Sequence, residues 1–499
     1  MATNGAGAIA EGHLGNLTSE QEALLRKLWQ TVFMLYNMFE HTGPIVSDTG
    51  SKAESTKQRT GFFGRKTSDA APPPKQSADV MEALNIITSD PHEQQRLLKQ
   101  FQQLVAMQSP ESIKQFKEGL AAAPPESIQQ LRDVLATQSP ETLRDFQKIL
   151  HGQTAQSIRA MVIGAVKHEH PDTLILRFLR ARKWDINKAL MMMFKAMNWR
   201  HTDFHVDEEI MPHGEAGAVE DEKNGDKAAK TLGHDFMKQI RMGKSFLHGT
   251  DRHERPICIV RVRLHRASDQ CVESIERYTT YLIETARFVL NPPIETACLI
   301  FDMTSFTLAN MDYVPVKFMI MCFEANYPES LGVVLIHNAP WVFKGIWKII
   351  HGWLDPVIAA KVHFTYGRKD LEEFIAPDQL IKELGGDEDW EYKYEEPIEG
   401  ENEVMKDTET RDKLRRERED IAQRFEDATK EWILHAEGPK GDEVKAKRDA
   451  VAKEVRENYW KLDKYVRAKS LYDRQGYIRG GEEVKWYEAN GTKAANGSA

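Results

Sequence analysis

The chain has 499 residues, 41% hydrophobic and 29% charged, with a formal net charge of −9 at neutral pH. That length suggests roughly two to four domains, and the surplus of charge suggests solvent-rich segments. A net acidic chain is a poor general partner for nucleic acid, although a local basic patch leaves an anionic membrane surface open to it.

The four cysteines, Cys258, Cys271, Cys298 and Cys322, form no C-x-x-C pair, and three of them sit in apolar runs. They read as reduced, buried thiols of a cytoplasmic protein. The first residues, MATNGAGAIAEGHLGN, carry neither a basic n-region nor a long apolar h-region, unlike a signal peptide. The longest uncharged apolar stretch, 330–343, contains Asn338 and Pro340 and falls short of the about 20 residues that span a bilayer. Membrane contact is therefore expected to be peripheral and reversible.

In chain order, residues 18–40 read as a helix, capped by Ser19 with Glu22 and kept in helical period by Leu25, Leu28, Val32, Leu35 and Phe39. Residues 41–78, rich in Ser, Thr, Lys and Gly and ending in Pro72, Pro73 and Pro74, read as a disordered linker. SPESIKQF, PPESIQQL and SPETLRDF, beginning at Ser109, Pro124 and Ser139, form an internal repeat of short helices. Proline sits at the first helical position and Glu follows it in the first turn. Each helix has one apolar face it cannot bury alone, which fits either a partner-binding module or a helical extension packed on the main domain. Two helices follow over 171–200, with a basic edge of Arg177, Arg180, Arg182 and Lys183 and a methionine-rich second helix that reads as core. The polar, acidic stretch 204–233 reads as mostly loop.

From Ile257 the period changes. Strands are expected at 257–264, 297–302, 331–337 and 362–366. They alternate with helices at 274–290, 314–325 and 341–354, and a last helix at 377–384 precedes Gly385-Gly386. That alternation implies a largely parallel sheet with helical crossovers. Residues 399–476 are highly charged, with Leu414, Ile421, Phe425, Ala428 and Trp432 on one helix and Val444, Val451, Val455, Leu462 and Val466 on another. An αα-hairpin broken at Gly438-Pro439-Lys440-Gly441 fits, packed on the chain itself or on a partner. The last residues, 489–499, look disordered.

No catalytic motif stands out: there is no phosphate-cradling glycine loop, H-E-x-x-H or G-x-S-x-G. His168 and His170 lack further ligands at metal-binding spacing and read as surface histidines before a helix. Glu329 precedes the strand 331–337 and Lys361 the strand 362–366. If those strands are parallel neighbours, both charges start at one edge of the sheet, as a structural ion pair or as a ligand-binding pair. The helix between them, with Trp341, Phe343, Ile346, Trp347, Ile350, Trp353 and Leu354, has little polar face. It is either core on most sides or a surface that meets lipid.

DTLILRFLRARKWDINKAL (172–190) resembles the N-terminal helices of CRAL-TRIO lipid-binding proteins. TDRHERPI (250–257), LIFDMTSF (299–306), NYPESLGVVLIHNAPWVF (326–343), LDPVIAAKVHF (354–364) and LIKELGG (380–386) continue the likeness in order. It covers about half the chain and is strongest to the phosphatidylinositol-transfer branch; GHLGNLTSEQEALLRKLW near the start resembles fungal members. The resemblance implies an α/β fold with a mostly parallel sheet, a helical N-terminal subdomain, and helical extensions at both ends. The corresponding divisions are an N-terminal helix 1–40, linker 41–78, helical-repeat extension 79–164, N-terminal helical subdomain and loop 165–244, lipid-binding domain 245–396, and charged hairpin and tail 397–499.

It further implies that Glu329 and Lys361 hold an inositol head group, that Arg182 lies near the phosphate, and that 343–354 gates the acyl-chain cavity through Phe343, Ile346, Trp347, Ile350, Trp353 and Leu354. Ala297 and Leu299 replace the Ser and Thr of the family's choline-lipid site, Ile358 replaces a Thr near the inositol phosphate, and Glu254 replaces the Gly of a G-R-P turn, so a slightly different turn is expected there. The expected function is non-enzymatic transfer of one phospholipid, phosphatidylinositol, with no metal or cofactor. The alternatives are a lipid sensor or scaffold whose helical extensions recruit protein partners, and a carrier of a sterol, squalene or tocopherol.

Overall fold

The computed structural model describes residues 9–40, 154–436 and 438–487, with single positions at 129 and 149. The expected linker, most of the repeat extension and the tail lie outside the described residues. The chain falls into two compact units, residues 27–160 and residues 1–26 with 161–499. In the first, Leu28, Trp29, Val32, Phe33 and Tyr36 are buried, with the Arg159 guanidinium 4.9 Å over the Tyr36 ring. The helix Ser19–Glu40 is capped one residue earlier than expected, because Thr18 Oγ1 accepts from Gln21 N–H (3.2 Å) and Gln21 Oε1 from Thr18 N–H (3.0 Å).

The second unit is built on five strands in the order β1 (Ser245–Thr250), β2 (Pro256–Arg261), β3 (Ala297–Asp302), β4 (Leu331–His337) and β5 (Val362–Thr365). β2 to β5 run parallel, joined by the helices Val272–Phe288, Tyr313–Met321 and Phe343–His351. β1 pairs antiparallel to β2 at the edge and was not expected from the sequence. Its SFLHGT has glycine and polar residues where a buried parallel strand would be continuously apolar. Side chains alternate across the sheet. Ile257, Ile259, Cys298, Ile300, Val333 and Leu335 meet Leu371, Ile375, Leu380 and Leu384 on one face. Cys258, Leu299 and Val334 meet Ile275, Tyr278, Tyr281 and Phe318 on the other.

Residues 204–233 are not mostly loop: helices occupy Met211–Asn224 and Lys227–Arg241. The first leaves helical geometry at Gly214 and buries the carboxylate of Glu215, which accepts from Tyr281 Oη (2.9 Å), Tyr394 Oη (3.0 Å) and Leu471 N–H (3.0 Å). The second is capped by Asp226 and buries Phe236, Met237 and Ile240. A buried glutamate and small residues look solvent-facing in sequence; partners distant along the chain hold them inside. Residues 377–384 form two single 3₁₀ turns, Pro377–Gln379 and Lys382–Leu384, rather than one helix. His168 is buried, not on the surface; it lies 5.2 Å from the Phe288 ring and 4.8 Å from Trp460, and burial lowers its pKa to about 3.

The charged C-terminal hairpin, Thr408–Leu434 and Gly438–Val466, packs on its own chain. Gly438 to Gly441 start its second helix rather than lying between the two. Arg418 donates to the carbonyl of Lys167 (2.8 Å), and Arg448 donates to both carboxylate oxygens of Asp172 (2.5 Å each). The segment after it crosses β1, where Leu247 N–H donates to Tyr472 Oη (2.6 Å). All four cysteines are free thiols; Cys258, Cys298 and Cys322 are buried and Cys271 is half-buried. Among the described residues, no helix is long and apolar enough to cross a membrane.

Candidate functional site

A cavity lies between the sheet face carrying Leu299, Phe301, Val334 and Ile336 and the helices Val272–Phe288, Tyr313–Met321 and Phe343–His351. It offers about 310 Å³ to the centres of water-sized atoms, and its wall is mostly apolar. The position follows from topology: right-handed crossovers place helices over the sheet, and the small or aliphatic Ala286, Ala297 and Val260 leave the gap between them unfilled.

The helix Phe343–His351 closes one side. Phe343, Trp347, Ile350 and, beyond its end, Leu354 line the cavity at helical spacing. Ile346 is buried beside them among Met303, Phe306 and Ile336. Trp353 instead packs edge-on to Tyr313 (5.3 Å), with Lys317 Nζ 4.7 Å from its ring centre. The helix stops at His351, short of the expected 354, because the chain turns through Gly352 and Trp353 N–H reaches Ile350 O at 2.9 Å. Its opposite side exposes Lys344, Lys348 and Ile349, and Trp341 just before it is 82% exposed.

Glu329 and Lys361 do meet. β4 and β5 pair in parallel, and Val334 N–H donates to Lys361 O (2.9 Å), so both charges stand at the same edge. Lys361 Nζ is 3.5 Å from Glu329 Oε2, and each side chain is about a quarter exposed, at 23% and 24%. A pair so long and so wet contributes at most about 1 kcal/mol to stability. Glu329 also has φ +56°, a left-handed conformation that costs a non-glycine residue roughly 1–2 kcal/mol. Stability alone therefore does not explain this residue in this place, and strain of this kind clusters at ligand clamps.

Arg182, like Glu329 and Lys361 themselves, is not among the residues that line the cavity; its guanidinium donates to the carbonyl of Ala181 (3.2 Å). Arg180, bonded to Glu295 at 2.7 Å, feels the negative charge of Glu329, and Arg177 lines the cavity beside Glu295. The i, i+3 spacing of Arg177 and Arg180 was visible in the sequence, but not which of the four basic residues faces inward. Ala297, Leu299 and Ile358 all lie on the wall, so the three hydroxyl-to-aliphatic departures make it more apolar. Glu254 keeps φ +61°, and its turn is held by Asp251, whose Oδ1 accepts from His253 and Arg255 N–H (2.9 and 3.0 Å).

Behind this pole of the cavity lies a buried charge network that sequence spacing could not reveal. Glu284, fully buried, accepts from Lys167 (2.7 Å) and Arg200 (2.9 Å), with Arg287 at 3.4 Å. Arg287 (2.9 Å) and Arg177 (2.8 Å) both reach Glu169. Burial raises the Glu284 carboxyl, but Arg200, Lys167 and Arg287 outweigh it and hold it well below 4.5. Burial likewise opposes Glu169, which Arg177 and Arg287 bring down to about 2. Depressed carboxyl values give stability that is complete above the unfolded 4.5 and lost as pH falls toward 2. His168, neutral when folded, adds a loss that begins near 6.5. Urea midpoints are thus expected to decline gently from pH 6.5 and steeply below 4.5; a midpoint flat from pH 7 to pH 3.5 would contradict this. Among the described residues, no group of three or more His, Cys, Asp or Glu side chains is placed to hold a metal ion.

Residues 240–386 match the CRAL/TRIO domain, and residues 127–195 the CRAL/TRIO N-terminal domain. The chain is 47% identical over 323 residues to the CRAL-TRIO domain-containing protein C3H8.02 of Schizosaccharomyces pombe, covering 64% of this chain and 69% of that protein. It is 43% identical over 312 residues to the phosphatidylinositol transfer protein CSR1 of Eremothecium gossypii, covering 62% and 69% respectively. The Sec14 cytosolic factor of S. pombe is 27% identical over 234 residues, covering 43% of this chain and 74% of that one.

Proposed function

Because the chain belongs to the CRAL-TRIO family of lipid-binding proteins, we propose that it carries phosphatidylinositol between membranes, one molecule at a time, without a covalent step. The observation that carries this reading is the Glu329–Lys361 pair, strained and partly exposed, whose chain neighbours Pro328, Ser330 and Val362 line an apolar cavity closed by an apolar helix. Inositol hydroxyls can donate to the carboxylate, and the ammonium can reach hydroxyl or phosphate oxygens. Arg177 and Arg180 supply further positive charge on that side, and Arg182 is the more peripheral member of the cluster.

The physical task is to move two acyl chains through water. Exposing them costs about 0.8 kcal/mol per CH₂, which for two long chains sums to over 20 kcal/mol. A cavity that receives the chains as they leave the bilayer removes most of that barrier. Trp341 and Ile349, with Lys344 and Lys348 beside them, suit the headgroup layer of an anionic membrane. Docking there would let the helix Phe343–His351 swing out, exchange lipid and close again. No cofactor enters this cycle; the lipid is cargo.

Lipid extracted from the protein purified from its own cells is expected to be phosphatidylinositol in near-stoichiometric amount by mass spectrometry. The purified protein should move that lipid between liposomes. Protein that carries no lipid and moves none would sink the proposal. A sterol, squalene or tocopherol in place of phospholipid would replace it with the apolar-cargo alternative, which Ala297, Leu299 and Ile358 on the wall would then explain.

A further inference from the structure

The cavity has a second polar pole. The Lys244 carbonyl accepts from Arg261 N–H (2.8 Å), and Arg261 is in register with Asp302, the last residue of β3. Lys244 therefore sits at the C-terminal edge of the parallel strands, whereas Glu329 and Lys361 sit at the N-terminal edge. The six residues of β3 separate the edges by roughly 17 Å at about 3.3 Å per residue. Lys244, His265, Asn310 and Asp312 all line the same cavity.

This pole is built around a buried cation. Lys244 is 3% exposed. Its Nζ donates to Gln270 Oε1 (3.0 Å) and lies 3.3 Å from His265 Nδ1. His265 Nε2 is in turn 3.3 Å from Asp312 Oδ2, which suits a neutral ring donating to Asp312 and accepting from Lys244. Gln239 Nε2 also donates to Gln270 Oε1 (3.3 Å), and Asn310 holds the carbonyls of Arg263 and His265 (3.0 Å each), so the ring and the amide are fixed from behind.

Among the described residues, no carboxylate lies within ion-pair distance of Lys244. The nearest acids are engaged elsewhere, Asp312 with His265 and Asp269 with Lys238 (3.4 Å). An ammonium has three protons, and two are accounted for. Asp269 and Asp312 favour the charged form only from beyond ion-pair distance, and a buried charge so loosely countered is costly and selects for an anion that can arrive with a ligand. Burial lowers the Lys244 pKa to about 8, so the group is still largely protonated at neutral pH.

We propose that Lys244, with Gln270 and His265 orienting it, is the oxyanion subsite for a second class of cargo, a single-chain lipid whose carboxylate or phosphate seats at this pole while its chain runs toward Glu329 and Lys361. The wall that runs from Lys244 toward the other pole is apolar, with Val260, Val262 and Phe301 among its residues, so an anion carried on a hydrocarbon chain fits both the cation and the wall. The inference rests on the cavity being a lipid site, but not on its cargo being phosphatidylinositol.

Delipidated full-length protein would be titrated with oleate, oleyl alcohol and 1-oleoyl lysophosphatidate, with phosphatidylinositol transfer measured alongside. Oleate or lysophosphatidate is expected to bind at least tenfold more tightly than oleyl alcohol, and whichever is tighter identifies the head. Lys244→Met should bring the ratio to about one, whereas Lys244→Arg should keep it. Lys244→Gln, which preserves bonding to Gln270, makes the same test if the methionine variant does not fold. A wild-type ratio near one, a ratio unchanged in both neutral variants, or full displacement of oleate by inorganic phosphate would overturn the proposal. Selective oleate binding without phosphatidylinositol transfer would leave it standing and remove the phosphatidylinositol reading instead.

Discussion

Lys361→Glu is expected to lower phosphatidylinositol loading and transfer by roughly 30-fold or more while leaving the urea midpoint within experimental scatter. The magnitude follows from removing a charged partner of a bound polar group, about 2–5 kcal/mol, and from placing two carboxylates together in its stead. The spared stability follows from geometry. At 3.5 Å and about a quarter exposed, the Lys361–Glu329 pair does little for the fold. Glu329→Lys should behave in the same way. Glu329→Gly makes a sharper test, because glycine adopts φ +56° without penalty. That variant should gain up to about 1 kcal/mol of stability and still lose loading. Loading unchanged in all three variants would refute a head-group role for the pair.

Glu284→Leu is expected to have the largest effect on stability, a loss of about 3–5 kcal/mol in urea unfolding, roughly a fifth or more of what a typical domain has. The substitution is close in volume, so packing is not the cause. Lys167, Arg200 and Arg287 converge on this one carboxylate, and without it three cations face one another out of water. Arg200 and Lys167 keep Asp207 (2.8 and 3.3 Å) and Arg287 keeps Glu169, so the network is weakened rather than erased. Arg200 and Arg287 also line the cavity. A variant that folds should therefore show a more polar, wetter wall and weaker lipid retention. A loss below about 1 kcal/mol would mean that the network is far more hydrated than its burial indicates.

The alternation of apolar runs with helical periods was enough to place β3 and β4 to the residue, because strands buried on both faces leave a continuous signature. It also brought Glu329 and Lys361 together, since parallel neighbours joined by one crossover must start at one edge. The apolar character of the helix Phe343–His351 was legible as well; its early stop at Gly352 was not, because Trp353 and Leu354 continue the apolar pattern after the backbone has left the helix. The family pattern directed attention to Arg182; the arginine of this cluster on the cavity wall is Arg177, more than a helical turn earlier, a difference that motif position cannot decide. β1, the helices of 211–241, and the Glu284 and Lys244 clusters were hidden for one common reason. Each depends on polar groups buried against partners tens to hundreds of residues away, and local patterning scores such residues as surface.

The bond from Leu247 N–H to Tyr472 Oη joins residues 225 positions apart. During synthesis at about 5–20 residues per second, the first strand of the sheet would wait roughly 10–45 s for the tyrosine that covers its edge. An uncovered strand edge is a template for pairing with other chains. The nascent lipid-binding domain is thus a natural client for chaperones until its last helices emerge, and ribosome-bound chains stalled between residues 400 and 470 should be markedly more protease-sensitive and aggregation-prone than the released protein.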